Sequence, residues 1–361
     1  MPVPPPPTAR VQPFSSRLGD REHQGVSMTY GATILDAEGL RLTADEKAFF
    51  RDADPFGFIL FARNLDNGEQ IQALCDDFRE AVGRNAPITI DQEGGRVQRL
   101  RKPLARNWHP PLEHVQLAGE DAVRAMYLRY RLIAHELYTL GIDSNCAPIA
   151  DVACAETHEF LKNRCYGTSA DTVARIARAV ATAHLDGGVL PVLKHIPGHG
   201  RAAADSHLDL PHVASHPDAL EQIDFAAFAA LNDLPLGMTA HLVYDAYDDR
   251  PATTSPVMMR LIRERIGFDG LIMTDDISMK ALQGSLTGNA RASIEAGCDV
   301  VLLCNASLEE RIAVAEAAGP MTAAAQTRAD AVIAARRAPA ALDILSAERE
   351  LAALMGGQVY G

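Results

Sequence analysis

The sequence predicts a single TIM-type (β/α)8 barrel. Short apolar runs alternate with segments of helical period, the pattern of parallel strands joined by crossover helices. Eight such runs follow Met28, and no GxGxxG follows the first of them, which favours a closed barrel over a dinucleotide-binding open sheet. The 361 residues suit one barrel with extensions. Its expected limits are 28–345, with an extension over 1–27 and a tail over 346–361.

The extension begins MPVPPPPTAR and continues polar, without periodic apolar positions, so it reads as disordered or as the product of a start codon placed too early. TYGATIL, directly after Met28, is the first strand candidate. FGFILF (56–61), PITID (87–91), IDSNCAPIAD (142–151), VLPVLKH (189–195), LGMTAHLV (236–243), GLIMTD (270–275) and DVVLLC (299–304) follow. Helices are expected between them, among others at 67–83, 112–140, 170–186, 217–231, 256–265 and 308–319. Polar residues stand at the C-terminal ends of the strand candidates: Arg63 and Asn64, Asp91, Asp151, Lys194 and His195, His241, Asp275 and Asn305. In a barrel these ends converge on one mouth, where the active site is expected.

Composition narrows the function. The chain is 47% hydrophobic and 22% charged, as an ordinary globular protein is, and its net charge of −13 with no Lys/Arg-rich run argues against nucleic acid as partner. No stretch of about 18 apolar residues is present, and the N-terminus lacks the apolar core of a signal peptide, so a cytoplasmic protein with no membrane contact is expected. Six cysteines without a CxxC pair suggest buried thiols rather than disulfides or a zinc–thiolate site.

Three segments carry chemistry. KHIPGHGRAAADSH, Lys194 to His207, packs three histidines, a lysine and an aspartate into one Gly-containing stretch after a strand. It reads as a metal loop through His195, His199, His207 and Asp205, as a solvated salt-bridged loop, or as a catalytic loop. In the catalytic reading Asp205 fixes the tautomer of His207, and Gly198 and Gly200 act as hinges. Pro197, Gly198 and Gly200 weigh against the metal, because they keep His195 and His199 off a shared helix face. LIMTDDISM delivers Asp275 and Asp276 at the end of an apolar strand, which suits a glycosidase nucleophile. Strand alternation predicts that only one of the two faces the pocket. In TIDQEGGRVQRL, Asp91 ends a strand and Arg96 and Arg99 follow, a carboxylate flanked by guanidinium as pyranose sites use.

Together FILFARN, DQEGGRVQRL, NRCYG, KHIPGHG with ADSH, MTAHLVY with RPAT, and TDDISM resemble glycoside hydrolase family 3, specifically its single-domain bacterial β-N-acetylglucosaminidases of peptidoglycan recycling. The resemblance implies a retaining mechanism with Asp275 as nucleophile and His207, paired with Asp205, as acid/base. Asp91, Arg99, Arg164, Lys194 and His195 would bind the sugar, with no metal and no cofactor. The implied substrate is a muropeptide carbohydrate, N-acetylglucosaminyl-β-1,4-anhydro-N-acetylmuramic acid with or without peptide, and no obligatory protein partner is implied. Ile196, Cys165 and Thr274 depart from the commoner pattern (an aromatic residue, a small hydroxyl and a serine), which bears on substrate preference. Competing readings are another family 3 exo-glycosidase such as a β-glucosidase, a phosphorylase, a metal-dependent hydrolase and a non-catalytic sugar sensor.

Overall fold

The structure, a computed structural model, describes residues 29–202 and 210–361. Eight parallel strands form one sheet: β1 (Gly31–Leu35), β2 (Pro55–Leu60), β3 (Ile88–Ile90), β4 (Ser144–Asn145), β5 (Leu190–Ile196), β6 (Leu236–Thr239), β7 (Leu271–Asp276) and β8 (Val300–Leu303). Each strand neighbours the next in sequence, and β1 pairs with β8, Thr33 opposite Val301. Between β3 and β4 the ring is joined by Asp143 N–H donating to Ile88 O (3.1 Å) and Cys146 N–H donating to Ile90 O (2.9 Å). The expected (β/α)8 barrel is what the chain forms.

Strand residues such as Phe58, Leu60, Ile90, Val192, Ile272 and Val301 are fully buried because helices cover the outside while side chains fill the inside. Helix boundaries follow local chemistry. Thr43 and Ser307 cap Ala44–Ala53 and Leu308–Ala318 with capping boxes to Glu46 and Glu310, each box satisfying two otherwise unpaired backbone N–H groups. The helix expected over 112–140 is two, Pro111–Ala118 and Ala122–Thr139, because Gly119 takes φ +54 between them. The segment expected as a helix over 217–231 is an α turn, a π-helical stretch Leu220–Phe225 and a further α turn Ala226–Ala229.

The boundary expected at residue 345 falls inside a helix, Ile344–Leu354, which packs on Ala122–Thr139. Arg124 clasps Glu350 through Nε (2.6 Å) and Nη2 (2.9 Å), and Tyr360 meets Trp108 edge-on at 5.2 Å. These contacts hold residues 344–360 against the barrel. Among the described residues no helix is long and apolar enough to cross a membrane.

Candidate active site

At the C-terminal ends of the strands a cavity of about 350 Å³ is lined by Asp91, Arg99, Arg164, Lys194, His195 and Asp275, with Phe61, Arg96, Phe160, Asp276, Met279 and Asn305 among its other walls. All six of the expected site residues that the structure describes therefore meet in one place. Asp205 and His207 lie outside the described residues.

Its floor is an ion-pair network. Asp91, just past β3, accepts from Lys194 Nζ (3.0 Å) at the end of β5 and from Arg99 Nη2 (2.9 Å). Arg99 is returned to Asp91 by a hairpin, Gln92–Gly94 paired with Val97–Gln98. The turn of that hairpin is fixed, since Gly95 N–H donates to Trp108 O (2.8 Å) and the Gly95 Cα lies too close to Pro110 to carry a side chain without displacement. Burial works against ionisation of Asp91, but the Lys194 ammonium and Arg99 guanidinium outweigh it and hold the carboxyl well below its usual value.

Glu93, completely buried, stands behind this pair. Lys194 Nζ reaches its Oε1 at 2.6 Å, and Arg164 binds it in a fork. Burial pushes Glu93 up, and Arg164 and Lys194 more than reverse it. Sequence reasoning gave Glu93 no role. The usable signal was its spacing: two residues after Asp91 in an extended segment, it lies on the same side as the first carboxylate.

Asp151, at the end of the fourth strand segment, organises the start of the His-rich loop. One oxygen accepts His195 Nδ1–H (2.7 Å), and the other accepts the backbone N–H of His195 (3.2 Å) and of His199 (2.7 Å). Burial opposes its charge, and the His195 imidazole with these hydrogen bonds holds the carboxyl down at about 2. With Nδ1 so engaged, His195 turns Nε2 toward Arg164 Nη2 at 3.4 Å. Among the described residues no group of three or more His, Cys, Asp or Glu is placed to hold a metal ion.

Both Asp275 and Asp276 line the cavity, which corrects the expectation that only one would. A bulge is the reason: Met273 pairs with Val300 and Asp276 with Leu302, three steps against two, so the alternation of faces breaks there. Their chemistry differs. Burial would raise Asp275, yet the His241 and His195 rings and the Asp276 N–H bond (2.8 Å) lower it below its ordinary value. Asp276 is pushed up by burial to about 6 and is tied to Ser278 N–H (3.0 Å), Ser278 Oγ–H (2.7 Å) and Cys304 N–H (3.2 Å). Asp275 is the more acidic of the two and the less committed to neighbouring donors.

Other strand-end residues serve the frame. Asn64 donates to Ala37 O (3.1 Å) and Gly39 O (2.8 Å), and Arg63 is bound to Asp36. His241 Nε2–H donates to Asp276 O (3.0 Å), anchoring the backbone that presents the nucleophile candidate. Ile196, Cys165 and Thr274 are buried and do not line the cavity; Thr274 Oγ1 accepts Leu302 N–H (2.9 Å) at the bulge.

Residues 31–334 match the glycosyl hydrolase family 3 N-terminal domain. The chain belongs to glycosyl hydrolase family 3. Among its family 3 relatives, the β-hexosaminidase of Alkalilimnicola ehrlichii is 36% identical over 286 residues, covering 77% of this chain and 82% of that one. The β-hexosaminidase of Methylococcus capsulatus is 37% identical over 277 residues, covering 75% and 82%. In structure the chain is similar to native NagZ from Neisseria gonorrhoeae, with a TM-score of 0.80, 29% identity and coverage of 91% and 98%. The same Neisseria protein in complex with N-trifluoroacetyl-D-glucosamine matches with a TM-score of 0.74 and 29% identity over 91% and 99%. Membership of family 3 makes the protein a glycoside hydrolase.

Proposed function

We propose that this β-N-acetylhexosaminidase is a retaining exo-β-N-acetylglucosaminidase that removes terminal β-1,4-linked N-acetylglucosamine from muropeptides during peptidoglycan recycling in the cytoplasm. The observation that carries the reading is Asp275, an ionised carboxylate on a rigid strand, facing a cavity whose floor is the Asp91–Lys194–Arg99 and Glu93–Arg164 network. A cavity of about 350 Å³ is at the small end of the roughly 300–1,000 Å³ usual for ligand sites. That size suits one terminal sugar. The match to a relative solved with N-trifluoroacetyl-D-glucosamine supports an N-acylated glucosamine in it.

In this mechanism the Asp275 carboxylate attacks C1, the bond from C1 to the leaving oxygen breaks, and His207 gives that oxygen its proton. Water then attacks C1, His207 takes the proton of the water, and the bond to Asp275 breaks. Asp205 accepts the second N–H of His207 and so sets which nitrogen works. Lys194, Arg99, Asp91, Arg164 and His195 hold the hydroxyl and acetamido groups, with Asp91 accepting and the cations donating.

An activated 2- or 5-fluoro sugar tests this. It should leave a covalent adduct at Asp275 in the peptide containing TDDISM, and the first-formed sugar should be the β anomer. An adduct on Asp276 or Glu93 would overturn the assignment. A panel of 4-nitrophenyl glycosides, with phosphate varied, separates the β-glucosidase and phosphorylase readings: cleavage should favour the N-acetylglucosaminide, and no sugar 1-phosphate should form.

A further inference from the structure

Four Arg or Lys side chains line the cavity, and three are committed: Arg99 to Asp91, Lys194 to Asp91 and Glu93, Arg164 to Glu93. Arg96 is different. It is exposed at the rim, and among the described residues no carboxylate lies within ion-pair distance of it. Its guanidinium stacks over the Phe160 ring at 4.3 Å, and Arg164 lies over the same ring at 5.3 Å.

Arg96 is also well positioned. It directly follows Gly94 and Gly95 in the hairpin turn that delivers Arg99 to the floor, and that turn is pinned from beneath by Arg129, which donates to Glu93 O and to His109 O (2.9 Å). Stacking limits the rotamers of the side chain, so little entropy remains to be lost on binding. In a chain of net charge −13, a guanidinium beside the cavity with no ion-pair partner among the described residues is a local feature and no part of a general positive field.

On the exo-glycosidase reading the sugar that is cleaved off sits against the ion-pair floor, which leaves the exposed Arg96 on the side of the leaving group. We propose that Arg96 is a specificity-determining residue on that side, forming a bidentate pair with a carboxylate of the leaving group while Phe160 supports the guanidinium plane. This rests on the reading of the site as an exo-β-N-acetylglucosaminidase and adds the charge of the aglycone that it selects.

The test compares N-acetylglucosaminyl-β-1,4-anhydro-N-acetylmuramic acid with its methyl ester, which differ in one charge, using 4-nitrophenyl β-N-acetylglucosaminide as reference. Wild-type kcat/KM should favour the free acid by about ten-fold or more at low salt, as a charge-assisted pair at a partly exposed site allows. Salt should erode that preference. Arg96→Met should bring the two substrates to within about two-fold of each other, mainly through KM, and Arg96→Lys should restore part of the difference, since lysine keeps the charge and loses the fork. A preference that persists in Arg96→Met, or a wild type indifferent to the ester, overturns the proposal while cleavage of the aryl glycoside leaves the exo-glycosidase reading standing. Failure to cleave any N-acetylglucosaminide sinks that reading and this one together.

Discussion

Glu93 and Arg164 meet in a fork inside the barrel mouth: Nε donates to Oε2 at 2.9 Å and Nη2 to Oε1 at 2.8 Å, with the carboxylate wholly removed from solvent. The same Oε1 receives Lys194 Nζ. One carboxylate thus holds two cations that line the cavity, Lys194 being shared with Asp91, and it does so without lining the cavity itself. Burial of three charges is tolerated because each is paired and hydrogen-bonded.

Glu93→Ala strands Arg164 and half of the Lys194 partnership in a buried setting. The expected loss of stability is about 3–5 kcal/mol, the range for breaking a buried pair from one side, read as a lower urea midpoint. Glu93→Gln, which can still accept hydrogen bonds, should lose less. A midpoint unchanged in both variants would mean that water has replaced the carboxylate.

Asp151 gives a pH signature. Its carboxyl ordinarily titrates at 3.8 and is held at about 2 in the folded chain, so its contribution is present above about pH 4 and disappears as pH falls toward 2. The shift corresponds to about 2 kcal/mol. The stability gap between wild type and Asp151→Asn, from urea unfolding at a series of pH values, should therefore shrink as pH drops from 4 to 2. A gap constant across that window contradicts the pairing with His195.

Gly200 tests the docking of the His-rich loop. A Cβ there would stand 1.9 Å from Val152 O and 2.7 Å from Val152 C, both backbone, while Gly200 O accepts the Thr157 hydroxyl. Gly200→Ala must displace the chain immediately before Asp205 and His207. Turnover of the aryl glycoside should fall roughly 100-fold, the cost of about 1 Å of misplacement, with a stability loss of about 1–3 kcal/mol. Full activity would show that catalysis does not depend on this contact.

For His207 the leaving group is the discriminating variable. A sugar alkoxide needs a proton and a 4-nitrophenolate does not, so His207→Ala should slow glycosylation far more with the disaccharide than with the aryl glycoside. Deglycosylation should slow for both, because the base is gone as well. Asp205→Asn should give a milder copy of the pattern. Equal slowing of both substrates in single-turnover glycosylation would assign His207 to sugar positioning instead.

The barrel was legible because its signals are periodic and local: apolar runs of strand length, helices between them, and polar residues where each run stops. Asp91, Lys194, His195 and Asp275 could be placed at the mouth for that reason alone. What stayed hidden depends on partners remote in sequence. Glu93 is one acidic residue among many until Arg164, 71 positions away, is folded onto it. The bulge that brings Asp276 into the cavity arises from pairing with β8, which no pattern within LIMTDDISM encodes. Gly119 was visible, yet the apolar period continues past it and masked the break between two helices.

The ring closes between its two most distant strands, and Asp36 after β1 is locked to Arg311 beyond β8, 275 positions later. At a synthesis rate of about 5–20 residues per second, the ribosome needs roughly 14–55 s to cover that distance. Throughout this interval the first strand made has its β8-facing edge unpaired, an apolar template open to other chains. A chain that stalls before residue 300 cannot become a smaller barrel. It lacks the strand that pairs with β1, so the ring can close only when nearly all of the molecule has been translated.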